Sequence, residues 1–289
     1  MLQYIVQFSI ASITEGSVYA LIGLGLAIIH RTTEVMFFAQ GTLAMVSGVT
    51  FYALLTYSNI PLAFAALIAL IVTLIVALAS QWLIVLPLLD RGATPLSVSI
   101  VIIGEALLLD TGAMVLFGKD PLAVVSFSGE DPIKFLGASI VPQEIWIVCT
   151  LLAFSCLFYS FFRKTWTGKA MTGLGENPLL AKAMGFPVRR LFTYSFVFGA
   201  LTAGAAGLVS APLSYTGYWI GTRLTVKGFV AAAVGGLNNP LGAVVGGLLT
   251  GFFESFGAGF ISSGFRDLIT IVLLLLVLLW RPQGLMGER

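Results

Sequence analysis

Charge is scarce in this chain: only 10% of its residues are Asp, Glu, Lys or Arg, against 58% that are hydrophobic. With a mean hydropathy of +1.01, such a chain cannot clothe a core with a water-facing surface, so most of it must face lipid. Histidine is nearly missing as well. His30 is the single one, beside Arg31 at the end of an apolar run, and reads as an interfacial residue rather than a proton shuttle. Cys149 and Cys156 lie seven apart in one apolar run, on one helix face, and read as packing residues. Neither residue type occurs in a ligand spacing, so no metal is expected. A phosphate-binding Gly-x-x-x-x-Gly-Lys-Ser/Thr is also lacking, since Gly168-Lys169 is followed by Ala170 and has Arg163 where the first Gly would stand. Met1-Leu-Gln-Tyr carries no positive charge and the first apolar run outlasts a signal core, so no cleavable signal is expected. The formal charge of +2 gives no reason to expect nucleic acid, because the basic residues cluster where a membrane face would be.

What remains is a succession of apolar runs, at 5–29, 35–57, 61–86, 95–117, 144–162, 191–212, 226–236, 242–257 and 268–280. They show no strict alternation of the kind a barrel needs, and 32 Gly with many Ala suit close helix packing in lipid. The expectation is an all-α polytopic membrane protein of about eight or nine transmembrane segments, some of them broken or re-entrant. It forms a single transmembrane domain over 1–289, with lipid bilayer as its surroundings. Between 163 and 190 six bases (Arg163, Lys164, Lys169, Lys182, Arg189, Arg190) face one acid, Glu176, which marks this loop as cytoplasmic. The loop at 118–143, with Asp120, Glu130, Asp131 and three prolines, then falls outside. Counting from the basic loop puts Asp90-Arg91 and the tail after Arg281 inside, and Met1 outside.

Two interruptions of the apolar pattern stand out. Gln40, Gly41 and Thr42, after Phe37 and Phe38, break one run, and Gly235, Gly236, Asn238 and Asn239, before Pro240, break another. Pro240 removes a backbone donor and the glycines permit non-helical dihedrals, so each is either a broken helix lining a pathway or a kink at a tight contact. Paired breaks in two halves of a chain point to a translocation site. Phe37, Phe38, Leu43 and Met45 suit a solute with an apolar part.

The basic loop has a readable fine structure. Asn177 is an N-cap, Pro178 takes the first helical position, and Gly185 closes a short helix over 178–184. Leu180, Ala183 and Met184 share one face and Lys182 points away. This helix either fills a groove in a soluble partner or lies on the membrane surface. Four acids fall in or near apolar runs: Glu15, Glu105, Asp110 and Glu254. Each must face a cavity, find a partner or stay protonated. Glu105 and Asp110 are five apart, about 140° around a helix, so they do not form one acid/base pair.

Four stretches, in this order, resemble the LivH-type inner-membrane permease subunits of branched-chain amino-acid ABC importers: Gly16-Ser-Val-Tyr-Ala-Leu-Ile-Gly-Leu-Gly25, Phe38-Ala-Gln-Gly41, Gly175-Glu-Asn-Pro-Leu-Leu-Ala-Lys-Ala-Met-Gly185, and Ile261-Ser-Ser-Gly-Phe-Arg-Asp267 leading to Arg281-Pro-Gln-Gly-Leu285. At the second stretch Phe37 stands where the family usually has Asn, and Thr42 where it has Glu. The resemblance implies a transport subunit rather than an enzyme, in a bacterial inner membrane. It would work beside a second, LivM-like permease, two ATP-binding subunits and a periplasmic substrate-binding protein. No cofactor would be bound by this chain, ATP and Mg being held by the partner subunits. The coupling helix would comprise Glu176, Asn177, Pro178, Leu180, Ala183, Met184 and Gly185, and Glu254 would match a common acid near the outer end. The implied cargo is a branched-chain or other hydrophobic amino acid, or a related amide or aromatic acid, moved by alternating access. An ion-coupled secondary transporter using Glu105 and Asp110 is the alternative.

Overall fold

Lipid offers backbone groups no hydrogen-bond partners, so apolar runs of this length satisfy themselves as helices. The computed structural model describes residues 2–58, 60–129, 131–135 and 138–287, the side chains of Leu2, Phe135, Pro178, Leu179 and Lys182 excepted. Helices α1 (Leu2–Thr33), α2 (Gln40–Ser58) and α3 (Leu62–Ser80) come first. A π turn (Gln81–Val85) carries α3 into α4 (Leu86–Asp90), and α5 (Pro95–Phe117) returns. A small antiparallel hairpin of β1 (Ile133–Phe135) and β2 (Ala138–Ile140) follows, pairing Ile133 with Ile140. Then come α6 (Pro142–Lys164), α7 (Trp166–Glu176), α8 (Pro178–Ala183), α9 (Val188–Ser214), α10 (Ile220–Gly235), α11 (Pro240–Phe260), a 3-10 turn (Ser263–Phe265) and α12 (Arg266–Trp280).

Among the described residues, seven helical stretches are long and apolar enough to cross a bilayer. The helices α2 and α10 lie outside that group, and both begin inside the bundle. Contacts fix which loops share an end. Arg189, from the basic loop, pairs with Asp90 at 2.8 Å. His30, Arg31, Glu176, Asn238 and Gln283 surround one cavity at that same basic end. At the opposite end Gln7 exchanges two hydrogen bonds with Ser139 beside the hairpin.

The centre of the bundle is α1, which packs on α9, α10 and α11. Its contact with α11 is backbone to backbone, since a Cβ on Gly247 or Gly251 would strike the main chain of Ala20 or Gly16. Close approach of this kind is how helices gain packing energy where lipid removes the hydrophobic drive. By contrast α3, α5, α6 and α12 turn large apolar side chains such as Ile75, Leu108, Leu152 and Leu279 outwards. The run expected at 226–236 proves to be the second half of α10, which starts at Ile220.

Candidate functional site

The first interruption lies just before Gln40, Gly41 and Thr42, which form the first turn of α2 and are buried. Between α1 and α2 the chain is non-helical and turns at Phe38-Ala39, with Val35, Phe37 and Ala39 fully buried. Its donors are met within the protein: Val35 N by Thr33 Oγ1 at 3.2 Å and Met36 N by Ser99 Oγ at 3.0 Å. Phe37 stacks edge-on against Phe196 and Phe38 leans on Phe229. Helix α2 then starts level with the middle of α9, where Gln40 Nε2 donates to Gly199 O at 2.8 Å.

The side chain that meets this break comes from the first turns of α10. Thr225 Oγ1 accepts from Gly41 N at 3.1 Å, and a Cβ on Gly41 would strike Thr225 N and Gly221 O. Thr42 Oγ1 and the Asp110 carboxylate of α5 both crowd the place where a Cβ on Gly221 would sit. Asp110 Oδ2 accepts from Thr222 Oγ1 at 2.7 Å, in the first turn of a helix whose N-cap residue, Trp219, offers no side-chain cap. An acid beside a helix N-terminus is stabilised by the exposed N–H groups and the macrodipole. Gln40 Oε1, Thr42 Oγ1 and Asp110 Oδ1 are buried without a hydrogen-bond partner among the described residues. The result is a tight polar collar across α2, α5, α9 and α10.

The second expected break is a turn between two helices, formed by Gly236 to Asn239 between α10 and α11. Gly236 ends α10 with φ 114°, and Asn239 caps α11 by accepting from Leu241 N and Gly242 N. Pro240 therefore starts a helix rather than breaking one. The C-terminal tail clamps this turn: Leu285 N donates to Val234 O at 2.8 Å, Met286 N to Gly235 O at 2.9 Å, and Asn239 Nδ2 to Met286 O at 3.1 Å. The turn lines the basic-end cavity, of about 500 Å³, with His30, Arg31 and Glu176. Gln40, Gly41 and Thr42 are thus brought together with Asp110, and the Gly235–Asn239 group is not among them.

The remaining acids are structural partners. Glu254, fully buried, accepts from Lys227 Nζ at 2.8 Å and from Tyr19 and Thr270. Lys227 also reaches Asp267 at 2.8 Å, and Glu15 holds Arg266 at 3.0 Å. The Arg266-Asp267 pair, noted above only as part of a resemblance, therefore ties the start of α12 to α1 and α10. Lys227 went unremarked in the sequence, although a lone Lys inside an apolar run was the signal. Glu105 bonds Ser80 beside the π turn and leaves Oε2 unpartnered, well apart from the Asp110 neighbours. No group of three potential metal ligands occurs among the described residues.

At the basic end Asn177 Oδ1 accepts from Leu180 N at 2.9 Å and Gly185 has φ 79°, as the N-cap and closing glycine require. Leu180 is 58% and Met184 67% exposed, with Ala183 exposed beside them. Ala181 faces inward, 3% exposed, against a cluster that includes Leu174 and Met171. The side chains of Pro178 and Lys182 lie outside the described residues. The preceding α7 was not anticipated; Thr165 caps it through Gly168 N at 3.0 Å.

Residues 9–278 match the model of a family described as the permease component of the branched-chain amino acid transport system. The high-affinity branched-chain amino acid transport system permease protein LivH of Salmonella typhimurium is 31% identical, over 99% of this chain and 96% of that one. BraD of Pseudomonas aeruginosa, a permease protein of the same description, is 29% identical over 96% of this chain and 94% of its own. Among solved structures, PsaBC from Streptococcus pneumoniae in complex with Fab aligns with a TM-score of 0.52, covering 95% of this chain and 91% of that one. At 14% identity that likeness is one of fold. With the match running through nearly every helix just described, the chain belongs to the family of branched-chain amino acid transport permeases and is a multi-pass membrane transport subunit.

Proposed function

We propose that this chain is one permease of an ATP-driven importer that carries a branched-chain or other hydrophobic amino acid inward across a bacterial inner membrane. The observation that carries the reading is the exposed apolar tip of α8, Leu180 and Met184, on an aqueous loop of a chain from this family. Exposed large apolar groups on a charged loop call for a partner. The partner proposed is an ATP-binding subunit holding ATP and Mg, one of two, with a LivM-like second permease alongside and a periplasmic binding protein delivering the solute. Closure of the ATP-binding pair would push α8, and α7 would pass the displacement to α1, against which it packs. The collar of Gln40, Gly41 and Thr42 against the start of α10 is suited to be the seal that parts as the bundle rocks, with Phe37 and Phe38 below it. Gly235, Gly236, Asn238 and Asn239 then belong to the cytoplasmic mouth. The separate neighbours of Glu105 and Asp110 favour no ion-coupled reading.

The test is reconstitution of the whole complex in proteoliposomes with its binding protein. Uptake of labelled leucine, isoleucine or valine is expected with ATP on the cytoplasmic side and no ion gradient. Uptake driven by a pH or sodium gradient without ATP would overturn the reading.

A further inference from the structure

At the end opposite the basic loop, a cavity of about 360 Å³ lies between α1, the end of α9, the first turns of α10 and the start of α12. That is the lower end of the range for small-molecule sites, about 300–1,000 Å³. Its lining combines aliphatic Val18, Leu213 and Leu224 with charged Glu15, Arg223 and Arg266. The charges do not balance. Arg266 is held by Glu15 at 3.0 Å, and the nearby Lys227 is matched by Glu254 and Asp267. Among the described residues, Arg223 has no carboxylate within ion-pair distance. A guanidinium left over on the wall of a cavity is a fork built for a carboxylate. Glu15 keeps spare acceptor capacity, since its Oε2 receives only a long contact of 3.5 Å from Ser255 Oγ.

We propose that this cavity is an outer receiving site for an aliphatic amino acid, its carboxylate on Arg223, its ammonium toward Glu15 and its side chain on Val18, Leu213 and Leu224. The proposal rests on the importer reading for its cargo, and deepens it by naming which groups of the solute are recognised before the collar. It requires the zwitterion: an aliphatic acid or an aliphatic amine satisfies only one of Arg223 and Glu15.

The experiment measures binding of labelled leucine, isoleucine and valine to the whole complex in phosphatidylcholine nanodiscs, without the binding protein or ATP. At least one of the three is expected to bind saturably, and to be displaced poorly by 4-methylpentanoate or isopentylamine. Arg223→Gln should weaken that binding about tenfold or more, the loss of one charge-assisted hydrogen bond, with partial recovery in Arg223→Lys. Leu224→Trp should abolish it by filling the cavity, and the elution profile of each variant reports that the complex is still assembled. Wild-type complex that binds none of the three, or Arg223→Gln and Leu224→Trp complexes that bind as wild type does, would overturn the site. Retention of an anionic lipid through Arg223, with no amino-acid binding, would also overturn it. ATP-driven uptake measured in parallel separates the two claims: uptake without this binding leaves the importer standing and removes the receiving site.

Discussion

Lys227 shows at the level of one residue what burial in a membrane demands. Its side chain is 3% exposed and its ammonium is met by Glu254, Asp267 and Thr270. Removing one partner of a buried pair strands the other charge, whereas replacing both with apolar groups does not. Lys227→Met is therefore expected to destabilise the protein by about 3–5 kcal/mol, and Lys227→Met with Glu254→Leu to recover most of that loss. Thermal unfolding of the purified protein in detergent reads both; a single variant melting with wild type would deny the pair any role. Glu254 is legible in the sequence because an acid in an apolar run must find a partner. The identity of that partner is not, because Lys227 lies on another helix, 27 positions away, and meets it only through the crossing of α10 and α11. The separation of Glu105 and Asp110 is legible, since helical spacing alone puts them on different faces. Each found a neutral hydroxyl, Ser80 or Thr222, in place of a counter-charge. Glu105→Gln and Asp110→Asn should accordingly keep ATP-driven import with no response to an imposed pH gradient, and an uptake that follows the gradient in wild type and not in these variants would count against this.

At the scale of elements, the collar depends on two helices that begin inside the bundle. The start of α2 could be read from sequence because Gln40, Gly41 and Thr42 are polar and small in an apolar run. The start of α10 could not, because Tyr215 to Trp219 look like an ordinary loop and the apolar signal only strengthens after Val226. Asn238-Asn239-Pro240 suits a helix break and a helix start equally in sequence, and the clamp by the C-terminal tail, which forms only in the fold, holds it as a turn with Pro240 opening α11. Accessibility gives a direct check. Gln40 and Thr42 are fully buried and Asn238 is exposed. In a background lacking Cys149 and Cys156, both exposed, a cysteine at 238 should react with a membrane-impermeant thiol reagent applied from the cytoplasmic side in the resting state. Cysteines at 40 and 42 should react only in a state trapped during ATP turnover. Equal labelling of 40, 42 and 238 in every state would mean that the collar does not close.

At the scale of the whole molecule, the bundle presents one feature that its own packing does not use. The short helix α8 puts Ala181 into the protein and Leu180 and Met184 into solvent, so neighbouring positions are under opposite demands. Ala181→Asp would bury a charge within the chain's own cluster of Leu174 and Met171, and should lower the amount of folded protein in the membrane. Leu180→Asp and Met184→Asp should leave that amount near normal, because both side chains are already in water. If α8 docks into an ATP-binding subunit, however, each would place an unpaired charge in the contact, a cost of about 3–5 kcal/mol, enough to lose the subunit on purification. Import should fail with it. The sequence carried this prediction further than most, since capping residues and three-and-four spacing are local and read without a fold. What it lacked was the inward face, because Ala181 meets residues from α7 that no helical spacing within α8 can point to. The three variants together separate the two roles: membrane level tests the inward face, and retention of the ATP-binding subunits tests the outward one. Full subunit retention and normal uptake in both Leu180→Asp and Met184→Asp would make α8 a surface helix and leave ATP coupling to be sought elsewhere on the basic face.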